Sequence, residues 1–259
     1  MTINSKEIKW HIPSNIKYII TNRHGGTSLS PYDNFNIATH VGDSIITVNN
    51  NRAILNQFLP NSPIWLNQTH SVNILNLITD KDFNINNIQN YQFDGVVTNK
   101  NNQPLAIMTA DCVPVLITNT DGTFVVNVHA GWRGVAHGII KNTINQILSS
   151  NINGLSMSNL LIYFGPSICY ADFEVGVDVY NLMCQLDPHH ATFFKPSPTN
   201  PSKLLCDLLG IISFEFIKLE VPQTNITHSG FCTYCNNDLF YSYRKNGITG
   251  RIASIIWME

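Results

Sequence analysis

The segment Leu105-Ala-Ile-Met-Thr-Ala-Asp-Cys-Val-Pro-Val-Leu-Ile-Thr-Asn-Thr-Asp-Gly-Thr-Phe-Val-Val-Asn-Val-His-Ala130 decides how this chain is expected to fold. Three apolar runs of strand length, at 105–109, 113–118 and 124–129, follow one another with only short polar breaks and no helix between them. Their enrichment in Val and Ile suits a pleated, buried surface. Working outward, similar runs occur at 16–21, 64–66, 72–78, 95–98, 160–164 and 252–257. Helical spacing is clearest at 47–58, where Thr47 offers a cap, at 135–148 after a Gly-rich turn, and at 203–219. A fourth helix is expected at 175–186, ending before Asp187-Pro188. Strands outnumber helices and do not alternate with them regularly. The pattern therefore predicts an α+β fold, a layered sandwich of mixed sheets flanked by helices, rather than a doubly wound nucleotide fold. No repeat and no Pro/Gly/Ser linker divides the chain, so residues 1–259 read as one domain. Neither GxGxxG nor a P-loop is present.

Composition narrows the function. Fifteen basic and 17 acidic residues leave a net charge of −2, and charged residues make up only 12% of the chain. Solubility must then rest on uncharged polar groups, chiefly about thirty Asn scattered between apolar runs rather than gathered in a prion-like tract. With 44% apolar residues a chain of this length can bury a large core. A balanced charge without a Lys/Arg cluster argues against nucleic acid as a partner. No apolar run approaches the ~18–20 residues of a membrane span, and MTINSKEIKWHIP lacks a secretory apolar stretch, so a cytoplasmic protein is expected. Six cysteines in such a chain are expected to be thiols, ligands or nucleophiles rather than disulfides.

Three segments place a soft-metal ligand at the end of an apolar run: Asn67-Gln68-Thr69-His70-Ser71, Thr109-Ala110-Asp111-Cys112-Val113-Pro114 and Val128-His129-Ala130-Gly131-Trp132-Arg133-Gly134. Together His70, Cys112 and His129 offer two imidazoles and one thiolate, a donor set for Zn²⁺ or copper. Three protein ligands leave a coordination position open, as in catalytic rather than structural zinc sites. The alternatives are a buried Cys112 with two ordinary histidines, or a metal-free nucleophile and base formed by Cys112 and His129.

The strings TADCVPVLI, VHAGWRG, FGPSI, FEVG, Phe240-Tyr241-Ser242-Tyr243-Arg244 and Thr249-Gly250-Arg251 resemble those of the YfiH family, also called the laccase-domain or polyphenol-oxidase family. TNRHGGTS and PYDNFNIATHVGD extend the resemblance over residues 21 to 257. It implies a zinc-centred pocket ligated by His70, Cys112 and His129, in a purine nucleoside phosphorylase that also deaminates adenosine and cleaves S-methyl-5′-thioadenosine. Polyphenol oxidation and editing of peptidoglycan precursors are further activities proposed for the family. Nine histidines without a His-x-His pair poorly suit a multicopper cluster, so zinc is favoured over copper and the oxidase activity is disfavoured. Zinc can lower the pKa of bound water to ~7, and Asp111 or Asp94 could shuttle the proton in a deamination; Asp94 serves equally well as a turn residue. For phosphate, Arg133 in its Gly-rich turn, Arg23 and Arg244 are candidates, being planar forks. His40 and Asn36 are candidates for the ribose hydroxyls, with loop stabilisation an equal role for Asn36. The expected partners are purine nucleosides and phosphate, without nucleic acid or membrane.

A Cys112–His129 amidase acting on peptidoglycan precursors is the main alternative, and a non-catalytic zinc- or nucleoside-binding protein a third. Cys232-Thr233-Tyr234-Cys235 is a CxxC with no second CxxC to complete a zinc site, so it reads as packing or pocket lining. Cys169, Cys184 and Cys206 read as buried thiols, and His189-His190 as an exposed loop pair.

Overall fold

A computed structural model describes residues 10–259. In chain order its strands are β1 (Ile16–Ile20), β2 (Ile64–Trp65), β3 (Ile74–Asn76), β4 (Gly95–Thr98), β5 (Leu105–Thr109), β6 (Val113–Asn119), β7 (Val125–Ala130), β8 (Leu160–Phe164), β9 (Glu174–Val175), β10 (Phe194–Pro196), β11 (Leu204–Cys206), β12 (Ile226–His228) and β13 (Ile252–Met258). The helices are α1 (Ile45–Asn56), α2 (Trp132–Ala136), α3 (Ile139–Ser149), α4 (Val177–Leu186), α5 (Leu208–Lys218) and α6 (Tyr243–Asn246). A six-stranded sheet runs β12-β8-β6-β7-β4-β3, a four-stranded sheet β1-β13-β5-β2, and a small antiparallel sheet β10-β11-β9. Both larger sheets are mixed: β12 is parallel to β8, β3 to β4 and β2 to β5, and the remaining pairs are antiparallel. The fold is α+β, as the strand-rich pattern predicts.

Strand alternation sorts side chains into layers. Val113, Val115 and Ile117 of β6 and Val126 and Val128 of β7 face helices α3 and α5, whereas Leu116 and Val125 face the four-stranded sheet. Leu105 and Ile107 of β5 point into that same space between the sheets, and Ala106 and Met108 point outward toward Leu55 of α1 and Ile37. Both faces of the central strands are buried, which is why they read as unbroken apolar runs rather than as alternation. Each Val or Ile side chain fully withdrawn from water contributes about 1.5–3 kcal/mol. One polar group bridges the sheets: the Asn127 side chain donates to the carbonyls of Leu105 and Ser254, both at 2.8 Å.

Several boundaries differ from the expected ones for identifiable reasons. The helix expected at 203–219 is a strand followed by a helix, because β11 pairs with β9 and β10 and the Asp207 side chain then caps α5 by accepting from Gly210 N at 2.9 Å. The helix expected at 135–148 is two helices broken at Gly138, whose left-handed φ of +86° ends the first. Helix α1 starts at Ile45, ahead of Thr47, and α4 at Val177, after the two residues of β9. Strands β9 to β12 are only two or three residues long, too short to register as apolar runs. No helix among the described residues is long and apolar enough to cross a membrane.

Candidate functional site

The link from β5 to β6, Ala110-Asp111-Cys112, carries the chain from one large sheet to the other, and His129, the last residue but one of β7, stands beside it. The loop after β2 brings His70 to the same place. A cavity of about 610 Å³ opens there, lined by all three residues. Their ligating atoms lie within 4.8 Å of one another, with Cys112 Sγ 3.7 Å from His70 Nε2 and the two imidazoles edge to face at 4.7 Å between centroids.

Asp94 holds this arrangement from behind. Fully buried just before β4, its carboxylate accepts the His129 Nδ1 hydrogen bond at 2.8 Å, backbone N–H bonds from Thr69, His70 and Ser71, and the Ser71 hydroxyl. One carboxylate thereby orients two candidate ligands and frees His129 Nε2 to face Cys112. It also stabilises the left-handed backbone of His70, at φ +62°. Asp111 is left-handed too, at φ +92°, and is held by Thr233 Oγ1 at 2.7 Å and Arg244 N at 2.6 Å. Gly131 supplies the remaining room: a Cβ there would stand 2.5 Å from His70 Cδ2 and 3.1 Å from Cys112 Sγ.

The electrostatics follow from this packing. Burial pushes the Cys112 thiol up, but the His129 charge and hydrogen bonds from both imidazoles outweigh it and lower the thiol to about 6. Burial pushes His129 down, and the Cys112 and Asp94 charges more than reverse that, raising it to about 9. Asp94, despite burial, is held below the usual carboxylate range by His129 and Ser71. Burial, then Arg251 and Arg52, lower His40. Zinc fits the donor set of one low-pKa thiol and two imidazoles, one of them braced by a carboxylate, and the side-chain-free cradle at Gly131 leaves room for all three.

Of the other candidates, Asp111, His40, Arg133 and Arg244 line the cavity. Arg133 lies 4.3 Å over the Trp132 ring, and Arg244 donates to the Glu174 carbonyl at 2.7 Å. Three candidates, Arg23, Asn36 and Asp94, lie outside the cavity lining, which for Asn36 and Asp94 agrees with the structural alternative. Arg23 does not line the cavity; its guanidinium donates to the carbonyls of Asp33 and Asn237 and pairs with the Asp33 carboxylate. Asn36 is fully buried, bonded to Ala38, Asp43 and Arg251 N, and organises its own loop. Asp94 is enclosed behind His129 and does not line the cavity. Arg251, unweighed although it lies in the Thr249-Gly250-Arg251 motif, lines the cavity, as do Gln68, Trp132 and Tyr243. Each lies inside one of the quoted segments, and that was the signal the sequence offered.

Of the remaining cysteines and histidines, Cys206 is buried and His189 exposed as expected, whereas Cys169 and Cys184 are only part-buried and His190 is not exposed. Cys169 is half-exposed and meets Asp172, Cys232 and Cys235 in a second cluster of metal-ligating side chains. His190 is fully buried rather than exposed, bonded to Glu215 at 2.9 Å and to the Met183 carbonyl.

The family model for multi-copper polyphenol oxidoreductase laccase matches residues 17–259. The chain belongs to this family. It is 37% identical over 252 residues to a purine nucleoside phosphorylase of Haemophilus influenzae, covering 96% of this chain and 97% of the relative. To the purine nucleoside phosphorylase YfiH of Escherichia coli it is 33% identical over 252 residues, with the same coverage of 96% and 97%. Among solved structures, Neisseria meningitidis protein NMB0706 superposes with a TM-score of 0.84 at 34% identity, covering 100% of this chain and 98% of that one. YlmD of Geobacillus stearothermophilus gives 0.84 at 28% identity, over 95% and 93%. Members of the family thus carry a laccase description and a phosphorylase name side by side, and the donor set bears on the choice. The two metal-capable clusters among the described residues contain two histidines and none, respectively, against the histidine-rich trinuclear cluster of a multicopper oxidase.

Proposed function

We propose that this protein is a zinc-dependent purine nucleoside phosphorylase, with adenosine deamination and S-methyl-5′-thioadenosine cleavage as side activities. The observation that carries it is one nucleoside-sized cavity uniting the His70–Cys112–His129 cluster with Arg133, Arg244 and Arg251; the name shared by the relatives supports it. His70, Cys112 and His129 would hold the zinc, which would supply Lewis acidity at the cavity wall. The arginines bind phosphate as planar forks and lower the cost of its charge. Trp132, Tyr243 and Phe173 offer faces for the purine, and His40, kept neutral, hydrogen-bonds the ribose. A phosphate oxygen attacks ribose C1′ as the bond to the purine nitrogen breaks, giving ribose 1-phosphate and free base, which takes up a proton. That proton comes from solvent or dihydrogen phosphate, and we assign its relay to Asp111, the carboxylate that lines the cavity. Incubating the protein with inosine and adenosine, with and without phosphate, tests the assignment: base release that requires phosphate is expected, and no turnover with stoichiometric zinc contradicts it.

A second function has one observation in its favour. Asp94, His129 and Cys112 form an orienter, a base and a low-pKa thiol, the order of an amide-cleaving cysteine hydrolase. Such an enzyme keeps its activity under chelation and loses it to iodoacetamide; the zinc enzyme loses activity to the chelator.

A further inference from the structure

On the far side of one cavity wall, two loops bring four side chains together. Cys169 and Asp172 follow the Phe164-Gly165-Pro166-Ser167-Ile168 turn after β8, and Cys232 and Cys235 follow β12. Their ligating atoms all lie within 4.8 Å of one another. Asp172 Oδ2 is the hub, at 3.1 Å from Cys169 Sγ, 3.4 Å from Cys232 Sγ and 3.0 Å from Cys235 Sγ.

We propose that Cys169, Asp172, Cys232 and Cys235 form a second zinc site, a closed structural one that fastens the two loops walling the cavity. Three thiolates and one carboxylate are a full tetrahedral set, with no position left open. In a tetrahedron with Zn–S of about 2.3 Å and Zn–O of about 2.0 Å, sulfur and oxygen stand roughly 3.5 Å apart. The three sulfur–oxygen separations thus need to open by only a few tenths of an ångström. Each half-site has the same spacing, Cys-x-x-Asp and Cys-x-x-Cys, and two residues between ligands is the usual interval within half of a structural zinc site. The backbone supports the sulfurs: Cys232 Sγ accepts from Cys169 N at 3.2 Å and from Cys235 N at 3.5 Å, tying the halves together.

The loops are already registered for such a fastening. Ser167 and Cys232 form a parallel bridge, Ser167 N donates to the Phe231 carbonyl, and Thr233 N donates back to the Ser167 carbonyl. The bound set carries a net charge of −2 and sits among cations, with Arg244 donating to the Asp172 carbonyl and Lys245 to the Tyr234 carbonyl. On binding, the three thiol protons leave to solvent. A redox-active Cys232–Cys235 pair would need neither Cys169 nor Asp172, and the convergence of four donors favours the metal. Ile168 and Phe173 on one loop and Tyr243 and Arg244 just beyond the other line the cavity, so the fastening sets the shape of that wall.

The site stands independently of the proposed reaction, and its test removes the first cluster. The full-length His70→Ala/Cys112→Ala variant, reduced and stripped of metal, is titrated with Co²⁺ alone. One equivalent bound, with thiolate-to-cobalt charge-transfer bands that bleach on adding Zn²⁺ and vanish in the further Cys169→Ser/Cys235→Ser variant, is the expected result. No uptake by the reduced protein, uptake indifferent to Cys169 and Cys235, or a Cys232–Cys235 disulfide as the sole product of these thiols overturns it. Should the four-site variant not fold, zinc analysis of wild type against Cys169→Ser/Cys235→Ser decides: the proposal requires the difference to be one ion per chain, and equal contents refute it.

Discussion

The two cysteine-bearing clusters differ in what stands around them. His129 near the end of β7, Cys112 in the link between β5 and β6, and His70 in the loop after β2 are backed by the buried Asp94 carboxylate and open on one side to a cavity. Cys169, Asp172, Cys232 and Cys235 lie on loops and offer four donors, and none of them is among the residues lining the cavity beside the first cluster. The difference teaches that donor count and support together separate chemistry from fastening. Three braced ligands beside a void leave room for a substrate, and four ligands on two loops use up the metal's coordination.

The comparison breaks first at Cys112. Cys112→Ala is expected to lose the metal of the first cluster and, with it, turnover by on the order of 10³-fold or more, as removing a Lewis acid worth several kcal/mol implies; metal analysis beside base-release kinetics checks both, and the second cluster should keep its ion. Asp94→Asn is the next largest change. It removes the charge behind His129 and the acceptor shared with His70, and should weaken zinc binding about 10- to 100-fold, measured by competition with a chromogenic chelator, without affecting the loop site. Smallest is a contrast in thiol reactivity in the metal-free protein. Cys112, lowered to about 6, is protonated and slow below that pH and a reactive thiolate above it, so iodoacetamide labelling at Cys112 should rise through pH 6 and level off. Cys235, raised to about 11 mainly by its hydrogen bonds to Asp172 and Cys232, should still be climbing at pH 9. Peptide mass spectrometry of labelled samples follows both residues, and identical profiles would remove the electrostatic distinction between the clusters.

The sequence made the core strands legible because both faces of β5, β6, β7 and β13 are buried, and a doubly buried strand is an apolar run whatever its neighbours. Short edge strands such as β11 hid inside a helical pattern, since Asp207 begins a new element that spacing alone does not mark. His70, Cys112 and His129 stood out as ligands at the ends of apolar runs. The role of Asp94 was ambiguous because a carboxylate before a strand looks like a turn until the His129 contact is seen. Arg23 and Asn36 sit inside quoted motifs, yet their bonds serve the loops that carry them. Cys169 and Asp172 lie 63 and 60 residues from Cys232, and the CxxC seemed to lack partners because only folding supplies them.

The most direct test of the central claim is the rate of phosphate-dependent base release from inosine and adenosine by metal-stripped protein before and after one equivalent of Zn²⁺ is restored to the first cluster. The account predicts negligible release from the stripped protein and recovery on reloading, with ribose 1-phosphate as the second product. Equal turnover with and without the metal, or none in either state, would contradict it.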